Sequence, residues 1–249
     1  MTEPVCIVGS TLSPYVRKVL VMLDLKGVAY VIDPIVPFLG DERFSALSPL
    51  RRVPVLLDDR VTLSDSSVIC QYLEDRYPKP ALYPADIAVR AGARWLEEYA
   101  DSRLGDVFVW GLFNERAIKP FVWGRSTDTA RVERILRDDV PAVLDYLETQ
   151  APAAGFLCGE LSIADISIAA FFRTAALAGF TIDVGRWPLC AAHVERVLGL
   201  PAFVRLRPFE DCCMRSAPAN HRSALAAVGA PLSDETFGTA TPRPGFFGL

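Results

Sequence analysis

A hydroxyl-rich stretch near the start of the chain has the residue types and spacing to stabilise an anion. Residues 10–19 follow an apolar segment, residues 5–8, and contain Ser13 directly before Pro14. Apolar residues at positions 16, 19, 20 and 23 have helical spacing, with Ser13 as the N-cap and Pro14 in the first turn. The Ser13 hydroxyl would then stand at the positive end of a helix, where amide N–H groups and the helix dipole stabilise a thiolate or another anion. Taken alone, the pattern also fits an ordinary capped helix.

Pro54 is a second candidate because it interrupts an apolar, strand-like run, residues 53–57. A proline cannot donate a hydrogen bond to a strand ladder, so Pro54 indicates a strand edge, a bulge or a cis peptide. Beside a cleft, a cis Val53-Pro54 peptide would turn the N–H and C=O of Val53 outward to pair with an extended ligand. The alternative is an ordinary proline at a strand edge.

Asp65 and Ser66 form a third candidate at the start of a predicted helix that directly follows a strand. Either residue type makes a good N-cap, which is the structural interpretation. The same groups also suit an amino-acid ligand, because free N–H groups and Ser66 would bind its carboxylate and Asp65 would bind its ammonium group.

The elements that must position these residues alternate as β-α-β-α-β-β-α over the predicted first domain, residues 1–78. Short β-rich apolar runs predict strands, and the i, i+3, i+4 spacing of apolar residues predicts helices. The predicted strands are residues 5–8, 29–32, 53–57 and 61–63, and the predicted helices are residues 14–26, 38–47 and 66–76. Prolines at 78, 80 and 84 then predict a linker over residues 79–86.

Beyond the linker, the sequence predicts a separate all-helical domain over residues 87–213. Its helices are expected at about residues 86–117, 127–150, 162–178, 187–198 and 201–213. Ser162 and Asp165 have the spacing of a capping box, which assigns Asp165 to folding. Residues 214–249 form a Pro/Gly-rich extension that could wrap over the helical domain, close a cleft, or pack at a dimer interface through Phe246 and Phe247.

Composition excludes several classes of function. A net charge of −4 offers no basic surface for nucleic acid. Six scattered cysteines without a CxxC pair, together with only two histidines, predict neither a zinc site nor a disulfide framework. The chain shows no secretory signal and no apolar run long enough to cross a bilayer, so we expect a cytoplasmic protein that does not enter membranes.

The three motifs, in this order and at this spacing, resemble the thioredoxin-like domain of cytosolic glutathione S-transferases, of the serine type and with a bacterial-like pattern. The motifs are Ser-Pro-Tyr-x-Arg-Lys-Val, Arg-Arg-Val-Pro-Val-Leu and Leu-Ser-Asp-Ser-Ser-Val-Ile. The resemblance implies an α/β thioredoxin-like N-terminal domain followed by an all-α C-terminal domain. It also implies conjugation of glutathione to an apolar electrophile, a role in detoxification, and a homodimer.

The resemblance further implies a role for each motif residue, with glutathione as co-substrate and no metal. It implies that Ser13 donates a hydrogen bond to the glutathione sulfur and that the backbone of Val53, ahead of Pro54, pairs with the cysteinyl part. It also implies that Asp65 and Ser66 bind the γ-glutamyl group and that Arg52 contacts the glycyl carboxylate.

The sequence departs from the family pattern in the loop at residues 48–54, where Ser48 and Arg51 replace the usual Asn and Gly. Arg51 and Arg52 together could still bind an anion there. Ser10 is a rival to Ser13, because some classes use a hydroxyl earlier in the loop. We prefer Ser13, because related glutaredoxin and omega-type proteins place Cys-Pro-Tyr or Cys-Pro-Phe at this helix start.

The pocket for the second substrate is less well defined by the sequence. In this family it lies against the helical domain, and we expect Tyr15, Phe108 and Phe113 to line it, although such aromatic residues also fit a core. The alternatives are a glutathione-dependent isomerase, dehalogenase or peroxidase on the same fold, or a binding or assembly protein without catalysis. The chain lacks the Ser-Ser-Cys run of zeta-type isomerases, which counts against the isomerase.

Overall fold

In the computed structural model, which describes residues 4–243, the chain folds as two units. Ala81–Val204 form the helical unit, and the residues before and after this segment together form the N-terminal unit. Residues 205–213, which the sequence predicted as the end of the helical domain, therefore group with the N-terminal residues instead. They do so because of long-range contacts that local sequence patterns do not contain.

A four-stranded mixed sheet organises the N-terminal unit. Its strands are β1 (Val5–Val8), β2 (Tyr30–Asp33), β3 (Val55–Leu57) and β4 (Thr62–Ser64). Their order across the sheet is β2-β1-β3-β4, with β1 parallel to β2 and with β3 antiparallel to both of its neighbours. The predicted order of elements is confirmed. β3 begins at Val55 rather than at residue 53, because Pro54 has no N–H to offer the ladder.

Three helices complete the first 80 residues of this unit. They are α1 (Pro14–Leu25), α2 (Glu42–Leu47) and α3 (Ser66–Arg76). The predicted apolar stripe of α1 is fully buried, at positions 16, 19, 20 and 23. Burying one such side chain contributes about 1.5–3 kcal/mol to folding, so this stripe stabilises the packing of α1. α1 also contacts α3.

The helical unit confirms the predicted all-α domain. Its helices are α4 (Ile87–Tyr99), α5 (Lys119–Trp123), α6 (Thr129–Arg134), α7 (Val140–Gln150), α8 (Ile163–Leu177), α9 (Pro188–Leu198) and α10 (Pro201–Val204). Segments with π-helical hydrogen bonding, Ala100–Ile118 and Ile135–Asp139, join α4 to α5 and α6 to α7. α8 contacts the first of these segments, α4 and α9, and most of its residues are buried.

Asp165 has the folding role that the sequence predicted. Its Oδ2 accepts hydrogen bonds from the N–H and the Oγ of Ser162, both 2.9 Å, at the start of α8. Its Oδ1 accepts a further bond from the Leu157 N–H at 2.9 Å. Within residues 4–243, no helix combines the length and the apolar character needed to cross a membrane.

After the helical unit, the chain returns to the N-terminal unit with two more helices, α11 (Arg207–Met214) and α12 (His221–Ala227). The sequence predicts no helix beyond residue 213, and this is wrong for α12. α12 has seven residues, of which only His221 and Leu225 are buried. A helix this short presents too little periodic pattern to be recognised.

The last described residues, 231–243, which we call the C-terminal strap, begin along the outer edge of β2. The Ile32 N–H donates to the carbonyl of Pro231 (2.8 Å), and the Ser233 N–H donates to the carbonyl of Ile32 (3.1 Å). Leu232 thereby pairs with Ile32 in parallel fashion. The strap therefore satisfies backbone groups on an edge strand that the four-stranded sheet would leave open.

Asp33, at the end of β2, holds the middle of the C-terminal strap. Its fully buried carboxylate accepts hydrogen bonds from the Thr236 hydroxyl and from the Phe237 N–H, both 2.8 Å. The guanidinium of Arg222 lies 3.4 Å from the same carboxylate. The strap is thus anchored by a buried charge with several partners, and not by exposed contacts alone.

The strap then continues past the 3-10 turn Pro37–Leu39, where the Thr239 N–H donates to the carbonyl of Leu39 (2.7 Å). This position on the N-terminal unit was not among the three that the sequence left open for residues 214–249. The predicted contact through Phe246 and Phe247 falls outside the described residues.

Candidate functional site

The strand register brings the three sequence motifs to one end of the sheet. Val8, at the end of β1, pairs with Val55 at the start of β3, and Val55 pairs with Ser64 at the end of β4. The loop after β1, the Val53-Pro54 peptide before β3 and the start of α3 after β4 therefore all leave the sheet at the same end. Segments far apart in the sequence can act there on one ligand.

Gly9 brings the first two motifs into direct contact. A Cβ atom on Gly9 would stand 2.9 Å from the Cβ of Val53 and 2.5 Å from Cγ2 of Val16. The φ of Gly9, +149°, is also one that other residues rarely adopt. The Val53-Pro54 peptide is cis, one of the three forms that the sequence predicted. Sequence reasoning did not single out Gly9, although a glycine directly after a buried strand is a signal of close backbone approach.

Ser13 and its rival Ser10 have different surroundings. Ser13 is half-buried at the N-cap of α1, and its Oγ accepts the Val16 N–H at 3.5 Å. Ser10 is only 2% exposed, and its Oγ accepts the Leu12 N–H at 3.3 Å, inside the loop. Ser13 is thus the more accessible of the two and lies at the helix N-terminus, where an anion is stabilised.

Asp65 caps α3 while its side chain stays exposed. Its Oδ1 accepts hydrogen bonds from the N–H groups of Ser67 (3.0 Å) and Val68 (3.2 Å). Its φ is +81°, uncommon for a residue other than glycine. Ser66, the first residue of α3, is 3% exposed. The capping interpretation holds, and an exposed carboxylate at this position is also accessible to a cationic group.

Lys18 connects the helix that carries Ser13 to the helix that begins after Asp65. Its side chain is fully buried, and Nζ donates to the Ser67 hydroxyl at 3.1 Å. Sequence reasoning quoted Lys18 as part of a motif and gave it no role of its own. Its position among the apolar residues of a predicted buried helix is the sequence feature that could have identified Lys18, because a lysine is seldom fully buried without a partner.

The two arginines of the loop at residues 48–54 are placed differently. Arg51 donates to the carbonyl of Gly40 (2.9 Å) and to the Ser45 hydroxyl, so its guanidinium is engaged with α2 and the turn before it. Arg52 is exposed. We therefore retain Arg52, and not Arg51, as the candidate for binding an anion at this loop.

Ser48 closes the same loop by bonding to Arg52, the residue directly before Val53. Its fully buried hydroxyl accepts the Arg52 N–H (3.0 Å) and donates to the Arg52 carbonyl (2.9 Å). This pair of bonds turns the chain toward the cis peptide, which is a local role that the usual Asn of the motif could also serve.

The three aromatic residues expected at a second-substrate pocket have unlike environments. Tyr15 is half-buried in the first turn of α1. Phe108 is fully buried in the helical unit, with its ring centroid 5.0 Å from that of Phe172 and 5.6 Å from that of Phe180. Phe113 is 7% exposed. The core interpretation is favoured for Phe108.

Cys213, the second of two adjacent free cysteines, lies close to the Ser13 loop, residues 10–13. The Thr11 hydroxyl donates to the Cys213 sulfur at 3.9 Å, and Cys213 is 1% exposed. Burial, with the neighbouring Cys212 adding to it, raises the pKa of the Cys213 thiol to about 12. The thiol is therefore protonated at neutral pH. Among the residues that the structure describes, no His, Cys, Asp and Glu side chains are grouped as a metal site.

Two family profiles match the chain. The profile described as "Glutathione S-transferase, N-terminal domain" matches residues 7–81, and "Glutathione S-transferase, C-terminal domain" matches residues 129–196. The two matches cover more than half of the 249 residues.

Individual relatives agree with the profiles. A glutathione S-transferase from Triticum aestivum is 25% identical over 202 residues, covering 80% of this chain and 91% of the relative. A maleylacetoacetate isomerase from Rattus norvegicus is 28% identical over 214 residues, covering 83% and 92%. Among solved structures, a glutathione S-transferase from Methylobacterium radiotolerans in complex with glutathione sulfonate has a TM-score of 0.67 at 25% identity, covering 82% of this chain and 94% of that one.

Proposed function

This chain belongs to the glutathione S-transferase family, and we propose that it conjugates the glutathione thiolate to an apolar electrophile, with the Ser13 hydroxyl stabilising the thiolate. The observation that carries the proposal is the strand register. The row Val8–Val55–Ser64 puts Ser13, the cis Val53-Pro54 peptide and Asp65 at one end of the sheet.

In this proposal, each of the three motifs binds one part of glutathione. Asp65 takes the ammonium of the γ-glutamyl group, and Ser66 takes its carboxylate, since Asp65 itself accepts the N–H groups of Ser67 and Val68. The backbone of Val53 pairs with the cysteinyl part, and Arg52 meets the glycyl carboxylate. The cysteinyl sulfur then lies toward Ser13 at the start of α1.

The role of Ser13 is electrostatic. A free thiol has a pKa of about 8.5 and is mostly protonated at neutral pH. Lowering that pKa by about two units requires about 2.7 kcal/mol in favour of the thiolate. A hydroxyl hydrogen bond to a charged group contributes about 1.5–3 kcal/mol, and a helix N-terminus adds about 0.3–1 kcal/mol. Together these terms are sufficient, so Ser13 need not act as a base.

In the chemical step, the thiolate sulfur uses a lone pair to form a C–S bond with an electrophilic carbon of the second substrate. Where that carbon carries a leaving group, the group departs with the electron pair of its bond. In an addition, the carbanion formed takes a proton from water. The proton of the thiol is released to solvent before either step.

The experiment is a titration of wild type and Ser13→Ala with glutathione, followed by thiolate absorbance as a function of pH. We expect Ser13→Ala to bind glutathione with similar affinity, to raise the thiol pKa and to lose most of its turnover with an activated aryl halide. Full turnover in Ser13→Ala, with loss in Ser10→Ala, would transfer the role to Ser10. Failure of wild type to bind glutathione would favour a binding or assembly protein without catalysis.

Glutathione-dependent isomerisation is the second candidate, because the Rattus norvegicus relative is named a maleylacetoacetate isomerase. The same bound thiolate would add to a double bond and leave again after rotation. Assays of wild type with maleylacetoacetate and with an activated aryl halide separate the two reactions. Turnover of the first alone would replace conjugation with isomerisation.

We also propose a homodimer in the cytoplasm, as the family resemblance implies. Sedimentation of the purified protein gives its mass in solution, and a value for one chain of 27.3 kDa would contradict the dimer. Fractionation of the cells that produce the protein tests the location.

A further inference from the structure

Arg17 holds the backbone that leads to Ser13. The Arg17 side chain is fully buried, and its Nη2 donates to the carbonyl oxygens of Thr11 (3.2 Å) and Leu12 (3.4 Å). Because these two carbonyls directly precede Ser13, the guanidinium restricts the conformation in which the Ser13 hydroxyl is presented. These contacts give Arg17 a structural role in the loop.

Glu210 on α11 is the counter-charge of Arg17, although 193 residues separate the two. Nε of Arg17 and Oε1 of Glu210 form an ion pair, with the side chains 0% and 1% exposed. Cys213, three residues further along α11, accepts the hydrogen bond from Thr11. α11 therefore contacts the Ser13 loop directly at Thr11 and indirectly through Arg17.

A buried guanidinium depends on such a partner. Taking a charge out of water is strongly unfavourable unless an opposite charge and hydrogen bonds compensate. An arginine side chain cannot avoid this cost by becoming neutral, because it does not lose its proton in proteins. Without the Glu210 carboxylate, the Arg17 side chain would be driven toward water. Its bonds to the carbonyls of Thr11 and Leu12 would then be lost.

We propose that Glu210 is a positioning residue for glutathione transfer, which holds the Ser13 loop in its productive conformation through Arg17. α11, which follows the helical unit in the chain, would then be part of the framework of the glutathione site. This inference rests on the proposed function, because the position of Ser13 matters only if Ser13 stabilises the thiolate.

The first variant is Glu210→Gln, which keeps the shape of the side chain and removes its charge. We expect kcat to fall about ten- to a hundredfold, because small displacements of a catalytic group have effects of this size. The pKa of the bound glutathione thiol should rise. The Kd for glutathione should stay near that of wild type, because the γ-glutamyl and cysteinyl contacts come from other residues.

Asp24→Asn is the matched control. It breaks the ion pair between Asp24 and Arg205, which joins the other end of α1 to the chain just before α11. This pair is partly exposed, with side chains 21% and 60% accessible, and it does not involve the Ser13 loop. We expect wild-type kcat and wild-type thiol pKa. An equal loss in Asp24→Asn and Glu210→Gln would overturn the proposal, because breaking either ion pair to α1 would then have the same effect.

A second variant keeps the test decisive if Glu210→Gln does not fold. Arg17→Met combined with Glu210→Leu removes both charges, and apolar replacement of a whole buried pair is often tolerated. This double variant should fold and still show the raised thiol pKa and the lower kcat, because the carbonyls of Thr11 and Leu12 have lost the guanidinium. Wild-type kcat and thiol pKa in the folded double variant would overturn the proposal.

Hydrogen exchange in the ligand-free protein separates this inference from the proposed function. The N–H groups of Leu12 and Ser13 are both hydrogen-bonded to Ser10, so their exchange reports on the Ser13 loop. We expect faster exchange at both in Glu210→Gln and not in Asp24→Asn. If wild type forms no glutathione thiolate, the proposed function fails. If it does, and exchange and turnover are unchanged in Glu210→Gln, only the inference fails.

Discussion

Gly9 and Val53 lie so close together that a Cβ atom on Gly9 would stand 2.9 Å from the Cβ of Val53. This contact joins the strand end that leads to Ser13 to the residue expected to pair with the cysteinyl part of glutathione. We predict that Gly9→Ala lowers the free energy of unfolding by about 2 kcal/mol or more, since strain at positive φ adds to overpacking. We also expect weaker glutathione binding, measured by titration calorimetry.

Gly27→Ala is the control for this prediction. Gly27 also has a positive φ, +66°, but an added Cβ there meets no atom within 4 Å. We expect Gly27→Ala to lower the free energy of unfolding by about 1–2 kcal/mol, from backbone conformation alone, and to leave glutathione affinity unchanged. If the two variants lose stability and affinity equally in urea unfolding and calorimetry, the contact with Val53 is not what requires glycine at position 9.

Asp65→Asn separates the two roles of Asp65. An asparagine side-chain oxygen can still cap α3 and asparagine tolerates positive φ, so the fold should be retained. The ammonium of the γ-glutamyl group would lose its charged partner, and we expect the Kd for glutathione to rise about tenfold or more. Affinity is measured by calorimetry and stability by thermal unfolding.

Asp86→Asn provides the matched comparison. Asp86 caps α4 in the same way, accepting the N–H groups of Ala88 (2.9 Å) and Val89 (3.0 Å). Its replacement should change stability about as much as Asp65→Asn does and leave glutathione affinity unchanged. Unchanged affinity in Asp65→Asn would leave capping as the sole role of Asp65.

The C-terminal strap should depend on Asp33. Asp33→Ala removes the acceptor of the Thr236 and Phe237 bonds, and we expect a loss of about 2–4 kcal/mol in the free energy of unfolding. Limited proteolysis should also cut the strap in this variant. Arg243→Ala breaks an exposed ion pair with Glu42 and should cost no more than about 0.5 kcal/mol. Equal urea midpoints for the two variants would contradict the anchoring role of Asp33.

Acid sensitivity is expected from the two histidines, His193 and His221, which are 2% and 3% exposed. Burial lowers the pKa of both imidazoles, against an opposing effect of Asp165 on His193 and of backbone groups on His221. Below about pH 6.5 these two imidazoles therefore bind more protons in the unfolded chain than in the folded chain. The stability from the neutral imidazoles is complete above that pH and is lost as the pH falls toward the folded-state pKa values.

We predict that the free energy of unfolding falls between about pH 6.5 and pH 5.5 by up to about 1 kcal/mol per histidine. Urea unfolding at the two pH values measures the change. The double variant His193→Gln with His221→Gln should have a flatter dependence. An undiminished slope in that variant would assign the loss to carboxylates.

The sequence by itself determined the features that depend on neighbouring residues. The N-caps at Ser13 and Asp65 follow from side chains that reach amide groups two or three residues away, and the buried stripe of α1 follows from helical spacing. Pro54, which has no N–H, indicated that the Val53-Pro54 peptide departs from a regular strand, and that peptide is cis. These local rules were sufficient for the order of elements, and the family resemblance implied which residues would hold glutathione.

Only the tertiary structure decided which distant residues support those motifs. Glu210 meets Arg17, and the strap meets Asp33, across about two hundred residues of chain. Such contacts depend on how the whole chain packs, and they leave no periodic pattern in either partner's neighbourhood. The same reason explains Arg51, whose charge suggested an anion site although its guanidinium is held by Gly40 and its neighbours. Local sequence patterns indicated which groups could bind the ligand, and the packing of the whole chain determined which residues hold those groups in place.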